Sequence, residues 1–247
     1  MCIRDSSREI FRYLIEQDNG FTNFHFEICA DLLEDACFRI LERARKGLFQ
    51  FEIGIQSVNP DTLRAIKRAG DTAKLMENTK RLIALENAHV HVDLIAGLPF
   101  EDYQSFGNSF DTVYALGADH FQLGFLKLLK GTRIRREAEA FAYTWMEKPP
   151  YQVISNRFIS AAELCRLKRI ETLLDLYDNR GGFSRSLRYG ISRMRKSPFA
   201  FYERFSEYYY EHGFQHRSHK KEDLYRIFYA FGHARELGKG LEECRCV

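Results

Sequence analysis

Apolar residues recur along this chain in two rhythms, and the rhythms alternate. Between residues 8 and 17, Ile10, Phe11, Leu14 and Ile15 fall three and four apart, which is one face of a helix. Asn19-Gly20 closes it, since glycine readily takes the left-handed conformation that ends a helix. Over 21–28 the period drops to two, with Phe24, Phe26 and Ile28 set against polar neighbours, so this stretch predicts a strand. Residues 31–46 return to helix and stop at Gly47, and 49–55 predicts a second strand. Asn59-Pro60 opens another helix, with asparagine as the cap and proline where a missing N–H costs nothing. Strands over 89–95 and 120–126 flank a helix over 103–116.

The resulting order, αβαβαβαβ, predicts a parallel sheet with helices outside it. An open doubly wound sheet and a closed or partial β/α barrel share this order. No G-x-G-x-x-G follows any strand, which removes the main support for a dinucleotide-binding sheet. Polar residues gather instead at the C-terminal ends of successive strands: Glu27, then Gln56 with Ser57, then Gly97 near Asp93. In a β/α barrel that rim carries the chemistry. After Lys148-Pro149-Pro150 the chain reads almost entirely as helix, notably over 160–177, 198–211 and 220–237. The expected division is therefore a partial β/α barrel over 7–150 and a helical domain over 151–247.

Composition narrows the class without changing this picture. The 247 residues are 45% hydrophobic and 29% charged, an ordinary globular balance. No run is long and apolar enough to cross a bilayer, and charges interrupt the first seventeen residues, so neither a membrane protein nor a secreted one is expected. Six scattered cysteines show no disulfide spacing and fit a reducing cytoplasm. The net charge of +3 is uneven: residues 1–150 carry 19 Lys/Arg and 22 Asp/Glu, and residues 151–247 carry 18 and 12. The basic half could attract phosphates or nucleic acid. Its cations are interleaved with acids at helical spacing, however, which reads as a solvated helix surface.

Four segments resemble the radical SAM (S-adenosylmethionine) enzymes in order and spacing. Gly54-Ile55-Gln56-Ser57, followed by Thr62-Leu63 and Arg68, resembles their fourth-strand segment. Asp93-Leu94-Ile95-Ala96-Gly97-Leu98-Pro99 resembles the fifth-strand D-L-I-x-G-L-P motif. Gln122–Lys127, leading to Lys130-Gly131-Thr132, resembles the sixth strand and its turn. Phe24-His25-Phe26-Glu27 resembles the third strand of the coproporphyrinogen-dehydrogenase-like branch. With the tail from Lys148 onward, the likeness extends to cobalamin-domain-associated members that end in a domain of unknown function.

The resemblance implies a partial barrel with four of the usual six strands. It implies SAM contact by Glu27, Gln56, Ser57, Arg68 and Asp93, with Ile95 and Leu126 as apolar walls for adenine and Gly97 admitting the base close to backbone. Locally this is sound chemistry. Carboxylates accept from ribose hydroxyls or an ammonium, a glutamine donates and accepts at once, and an arginine forks onto a carboxylate. Other roles are available to the same residues. Glu27 could pair with a structural arginine, Gln56 and Ser57 could cap the helix at Pro60, and Arg68 could lie on a helix surface. Asp93 stands in an apolar strand, where an unpaired carboxylate is costly, so a functional or networked role is expected. His89 and His91 alternate on the same strand, but no third ligand accompanies them and no metal site is expected.

The resemblance further implies reductive cleavage of SAM at a [4Fe–4S] cluster, with or without cobalamin, and a flavodoxin- or ferredoxin-like reductant. The C-x-x-x-C-x-x-C run that such a cluster needs is missing: Cys29, Cys37 and Cys165 stand alone, and Cys244-Arg245-Cys246 has the wrong spacing. Met1–Ser6 is also what ATG TGT ATA AGA GAC AG plus one base encodes, a string resembling a transposon-based sequencing adapter. The first six residues are therefore expected to be foreign, and the chain to be an inactive piece of a radical SAM enzyme. The competing readings are a non-catalytic RNA- or protein-binding module that uses the basic helices, and an unrelated β/α-barrel enzyme.

Overall fold

The computed structural model describes residues 3–68 and 70–234. The chain divides into two compact units, Met1–Glu101 with Thr112–Leu126, and Asp102–Asp111 with Lys127–Val247. The first unit holds a four-stranded sheet in the order β1-β2-β3-β4, from β1 (Phe24–Glu27), β2 (Phe49–Gln56), β3 (His89–Ala96) and β4 (His120–Phe125). All three pairings are parallel. The expected α/β architecture with four parallel strands is the one observed.

The sheet has two unlike faces because strand side chains alternate. Phe49, Phe51, Ile53 and Ile55 of β2, Val90, Val92 and Leu94 of β3, and Phe121 and Leu123 of β4 are all buried. Phe11 of α1 (Ile3–Glu16) meets Phe26, Phe49 and Phe51 with ring centroids 5.5, 5.5 and 5.9 Å away. The opposite face carries Gln50, Glu52 and Gly54 of β2, His91, Asp93 and Ile95 of β3, and Gln122 and Gly124 of β4.

Two predicted helices come out shorter than their periodicity suggests. The stretch 31–46 resolves into a 3-10 turn, Ala30–Leu32, and α2, Asp35–Leu41. Between them Glu34 is extended. The buried Asn78 of α4 (Thr72–Ala84) donates to the carbonyls of Ala30 (2.8 Å) and Leu33 (3.0 Å), occupying acceptors that a continuous helix would use. The helix opened by Asn59-Pro60, α3, spans only Pro60–Ala65. Lys67 then turns left-handed (φ 57°), and the Arg68 N–H returns to the Leu63 carbonyl (2.9 Å). Arg68 thus lies past the helix, not on its surface. The first unit is completed by the C-terminal part of α5 (Tyr103–Tyr114).

In the second unit, a short helix α6 (Arg133–Arg136) precedes a hairpin of β5 (Thr144–Trp145) and β6 (Val153–Ser155). The hairpin carries a cis Pro149-Pro150 bond. Helices α7 (Ala161–Leu174), α8 (Ser184–Met194), α9 (Pro198–Glu211) and α10 (Lys221–Ala234) follow. Ser160 and Glu163 cap α7 reciprocally, and Ser197 with Pro198 starts α9. A π-helical turn, Asp175–Asn179, extends α7. The helices close on an aromatic core in which Phe205 faces Tyr177, Phe201, Phe228 and Phe231 at 4.7–6.0 Å between centroids. The hairpin has no counterpart in the periodicity, because β5 and β6 are two and three residues long, whereas α8 falls in the stretch that reads almost entirely as helix. Residues 235–237 of the predicted last helix lie outside the described residues. Among the described residues, no helix is long and apolar enough to cross a membrane.

Candidate functional site

The polar face of the sheet is organised in rows by strand register. Glu27 stands opposite Glu52, Glu52 opposite His91, and His91 opposite His120. The next row towards the C-terminal edge is Gly54, Asp93 and Gln122, and the one beyond it includes Ile95 and Gly124. Alternation continues past β4, where the Leu126 N–H bonds to the Ala96 carbonyl (2.9 Å) and extends the ladder.

Asp93 is the centre of this face. A bulge between Gly54 and Gln56 breaks the β2 register, and Gln56 takes a left-handed backbone (φ 70°) that few non-glycine residues adopt. The bulge folds the Gln56 side chain back over the sheet, where Nε2 donates to Asp93 Oδ1 at 3.3 Å. Gly54 makes this possible: a Cβ there would lie 2.5 Å from Gln56 Nε2 and 3.5 Å from Asp93 Oδ1. Burial pushes the Asp93 carboxyl up to about 6, and the carboxylates of Glu52 and Glu27 push the same way. A backbone hydrogen bond from Gln56 and the charge of Arg68 oppose the rise. A carboxylate held this way is short of positive partners and is poised to accept a donor or a cation.

The remaining expected residues divide into those on this face and those off it. Glu27 ends β1, exposed, on the same face. Ile95 and Leu126 are half-buried near the end of β3 and β4, beside Gly97, whose left-handed φ of 91° turns the chain out of β3. Arg68 acts on Asp93 through its charge, and it lines a cavity of about 280 Å³ with Cys29, Asp31, Ile55, Leu63 and Leu75. Ser57 is wholly buried: its hydroxyl donates to Glu101 Oε1 at 2.6 Å and accepts from the Asn59 N–H at 3.0 Å. Ser57 therefore braces the bulge from beneath. Asn59 is the residue that caps α3, accepting from the Asp61 N–H.

Glu52, Gly54 and Gln122 share this face without being among the expected site residues. Their signal was parity, since each lies an even number of residues from an expected site residue on its own strand. The lower rows add histidines. His25 Nε2 lies 3.1 Å from Glu52 Oε2, and the rings of His91 and His120 meet at 4.3 Å. Burial, then the neighbouring His120, lowers the His91 pKa, and its Nε2 is buried without a hydrogen-bond partner.

The donor set suits SAM: carboxylates and a glutamine amide for an ammonium and a ribose diol, and a guanidinium for a carboxylate. It does not suit an iron–sulfur cluster. Cys29 and Cys165 are exposed, Cys37 is buried, and among the described residues no three His, Cys, Asp or Glu side chains gather as a metal site.

Residues 2–113 match the model of the radical SAM superfamily, and residues 139–244 match the protein of unknown function family DUF4080. The anaerobilin synthase of Escherichia coli O157:H7 is 30% identical over 93 residues, covering 38% of this chain and 21% of that protein. The mitochondrial radical S-adenosyl methionine domain-containing protein 1 of Danio rerio is 26% identical over 102 residues, covering 41% and 23%. The chain thus spans under a quarter of the length of these curated relatives. Coproporphyrinogen III oxidase from Escherichia coli, described as a radical SAM enzyme, shares the fold with a TM-score of 0.52 at 15% identity, over 77% of this chain and 43% of that one. Residues 2–113 are therefore a radical SAM superfamily domain, and residues 139–244 a DUF4080 domain.

Proposed function

We propose that the polar face of the sheet is the SAM-binding surface of a radical SAM enzyme. The observation that carries this reading is Asp93: a desolvated carboxylate, raised to about 6 and steadied by the Gln56 side chain folded over Gly54. In this reading Asp93 and Glu27 accept from the SAM ammonium and ribose hydroxyls, and Gln56 holds Asp93 in place while offering its own carbonyl. Arg68 draws the methionine carboxylate to the rim. Ile95 and Leu126 flank the adenine, and Gly97 lets backbone approach it. Ser57 contributes by fixing the bulge that aims Gln56.

A [4Fe–4S] cluster would supply the electron that cleaves SAM, and reductive cleavage of SAM is the activity we assign to the whole protein. The described residues offer no ligand set for the cluster, so this chain alone is expected to bind SAM and leave it intact. A cobalamin partner and a flavodoxin-like reductant belong to the same proposal for the whole protein.

Equilibrium dialysis of the chain against radiolabelled SAM tests the reading, followed by chromatography of the bound nucleoside. The expected result is retention of intact SAM, weakened at least tenfold by Gln56→Ala. No retention, or equal retention by Gln56→Ala, would overturn the assignment.

A further inference from the structure

From Asn179 to Tyr202 the second unit carries Arg180, Arg185, Arg188, Arg193, Arg195 and Lys196 and no acidic residue. This stretch departs from the interleaving of cations and acids found elsewhere in the helical half. The structure gives it one surface. Helix α8 buries Ser186, Leu187 and Gly190, while Arg185, Arg188, Ser192 and Arg193 are exposed, with Arg195 and Lys196 following at its C-terminal end.

Packing holds the helix by its inner side. A Cβ on Gly190 would lie 2.9 Å from the Phe201 ring and 3.1 Å from Phe228, so α8 rests directly on the aromatic rings of α9 and α10. Among the described residues Arg185, Arg188, Arg195 and Lys196 form no ion pair, whereas Arg180 pairs with Asp175 at 3.2 Å. Lys221 adds a further ammonium at the other end, lying over Gly182, where a Cβ would stand 2.3 Å from its Nζ. Glu222 and Asp223 follow on α10 and mark where the basic surface stops.

We propose that this face of α8 binds the phosphodiester backbone of a nucleic acid. Like charges brought onto one rigid helix repel one another, and the repulsion is relieved by a polyanion. Five of the six cations in the stretch are arginines, whose planar forks suit phosphate oxygens. The exposed large hydrophobic residues of the described chain all lie elsewhere, so the face lacks the apolar core that a protein interface needs. Beyond its arginines it offers only serines to base edges, so the binding reads phosphates and not sequence. The proposal is independent of the SAM reading.

Fluorescence anisotropy with labelled 20-nucleotide RNA and DNA strands of mixed sequence tests it, at several salt concentrations. The expected result is binding to both within about threefold, weakening steeply with salt. The double variant Arg185→Ala/Arg188→Ala should bind at least tenfold more weakly, with a log–log salt slope shallower by about 1.4 (two phosphate contacts at about 0.7 each). An unchanged thermal unfolding curve for the variant shows that α8 is intact. If the variant fails to fold, Arg195→Ala/Lys196→Ala, outside the helix, takes its place. Three results would overturn the proposal: no binding at low salt, undiminished binding by folded variants, or equal displacement by polyglutamate, which would mark an acidic protein as the partner.

Discussion

The sheet of the first unit and the helices of the second solve the burial problem differently. The sheet commits only one face to the core: Phe49, Phe51, Ile53, Val90, Val92 and Leu123 face one way, while Glu52, His91, Asp93 and Gln122 face the other. The helical unit commits almost every large side chain. Tyr177, Phe183, Phe201, Tyr202, Phe205 and Phe231 are fully buried, and the Tyr177 hydroxyl is satisfied inside the unit, donating to the Leu224 carbonyl at 3.0 Å. Polar chemistry in the first unit therefore sits on one face of the sheet. In the second it is confined to the outer surface. Substitutions on the polar sheet face should cost binding and little stability, and substitutions among the aromatics the reverse.

The sharpest break in that comparison is Phe205→Ala. It removes a ring wedged among four others, and urea unfolding of the second unit should show a loss of about 3–5 kcal/mol with SAM binding unaffected. Next comes the pH dependence of Asp93. Its native carboxyl keeps a proton up to about 6, whereas the unfolded chain releases it near the ordinary aspartate value of 3.8. The native state thus binds more protons between these values, and stability falls as pH rises from about 4 to about 6, by up to about 3 kcal/mol. His91 works the opposite way, since its lowered pKa costs stability as pH falls below 6.5. The Asp93 contribution is therefore read as the difference between wild type and Asp93→Asn in unfolding curves across that range.

Ser57→Ala should cost about 1–3 kcal/mol, because it removes a donor to a buried carboxylate, and should weaken SAM binding by loosening the bulge. The smallest effect expected is Tyr177→Phe, about 1 kcal/mol, from the loss of one buried hydrogen bond with the ring packing kept.

The alternation of 49–56 and 89–96 revealed both the strands and, by parity, which residues share a face. Gln56 and Asp93 were legible as neighbours in motif order, but their hydrogen bond was not. It depends on a bulge and a left-handed residue, and neither leaves a mark on hydrophobic periodicity. Ser57 shows the opposite case. Its place beside Gln56 suggested ligand contact, yet one residue of strand register turns it to the buried side and onto Glu101. Arg68 was displaced by a six-residue helix that the periodicity could not shorten in advance. In the second unit the hairpin escaped detection because strands of two and three residues are too short to show a period.

The central claim is that Asp93 is a ligand-binding carboxylate and not a structural one. Calorimetric titration of SAM into wild type and Asp93→Asn at pH 7.5, with unfolding curves for both, tests it most directly. The variant is expected to bind SAM at least tenfold more weakly and to be no less stable than wild type, since it loses a desolvated charge. Unchanged SAM affinity together with a loss of stability would contradict it.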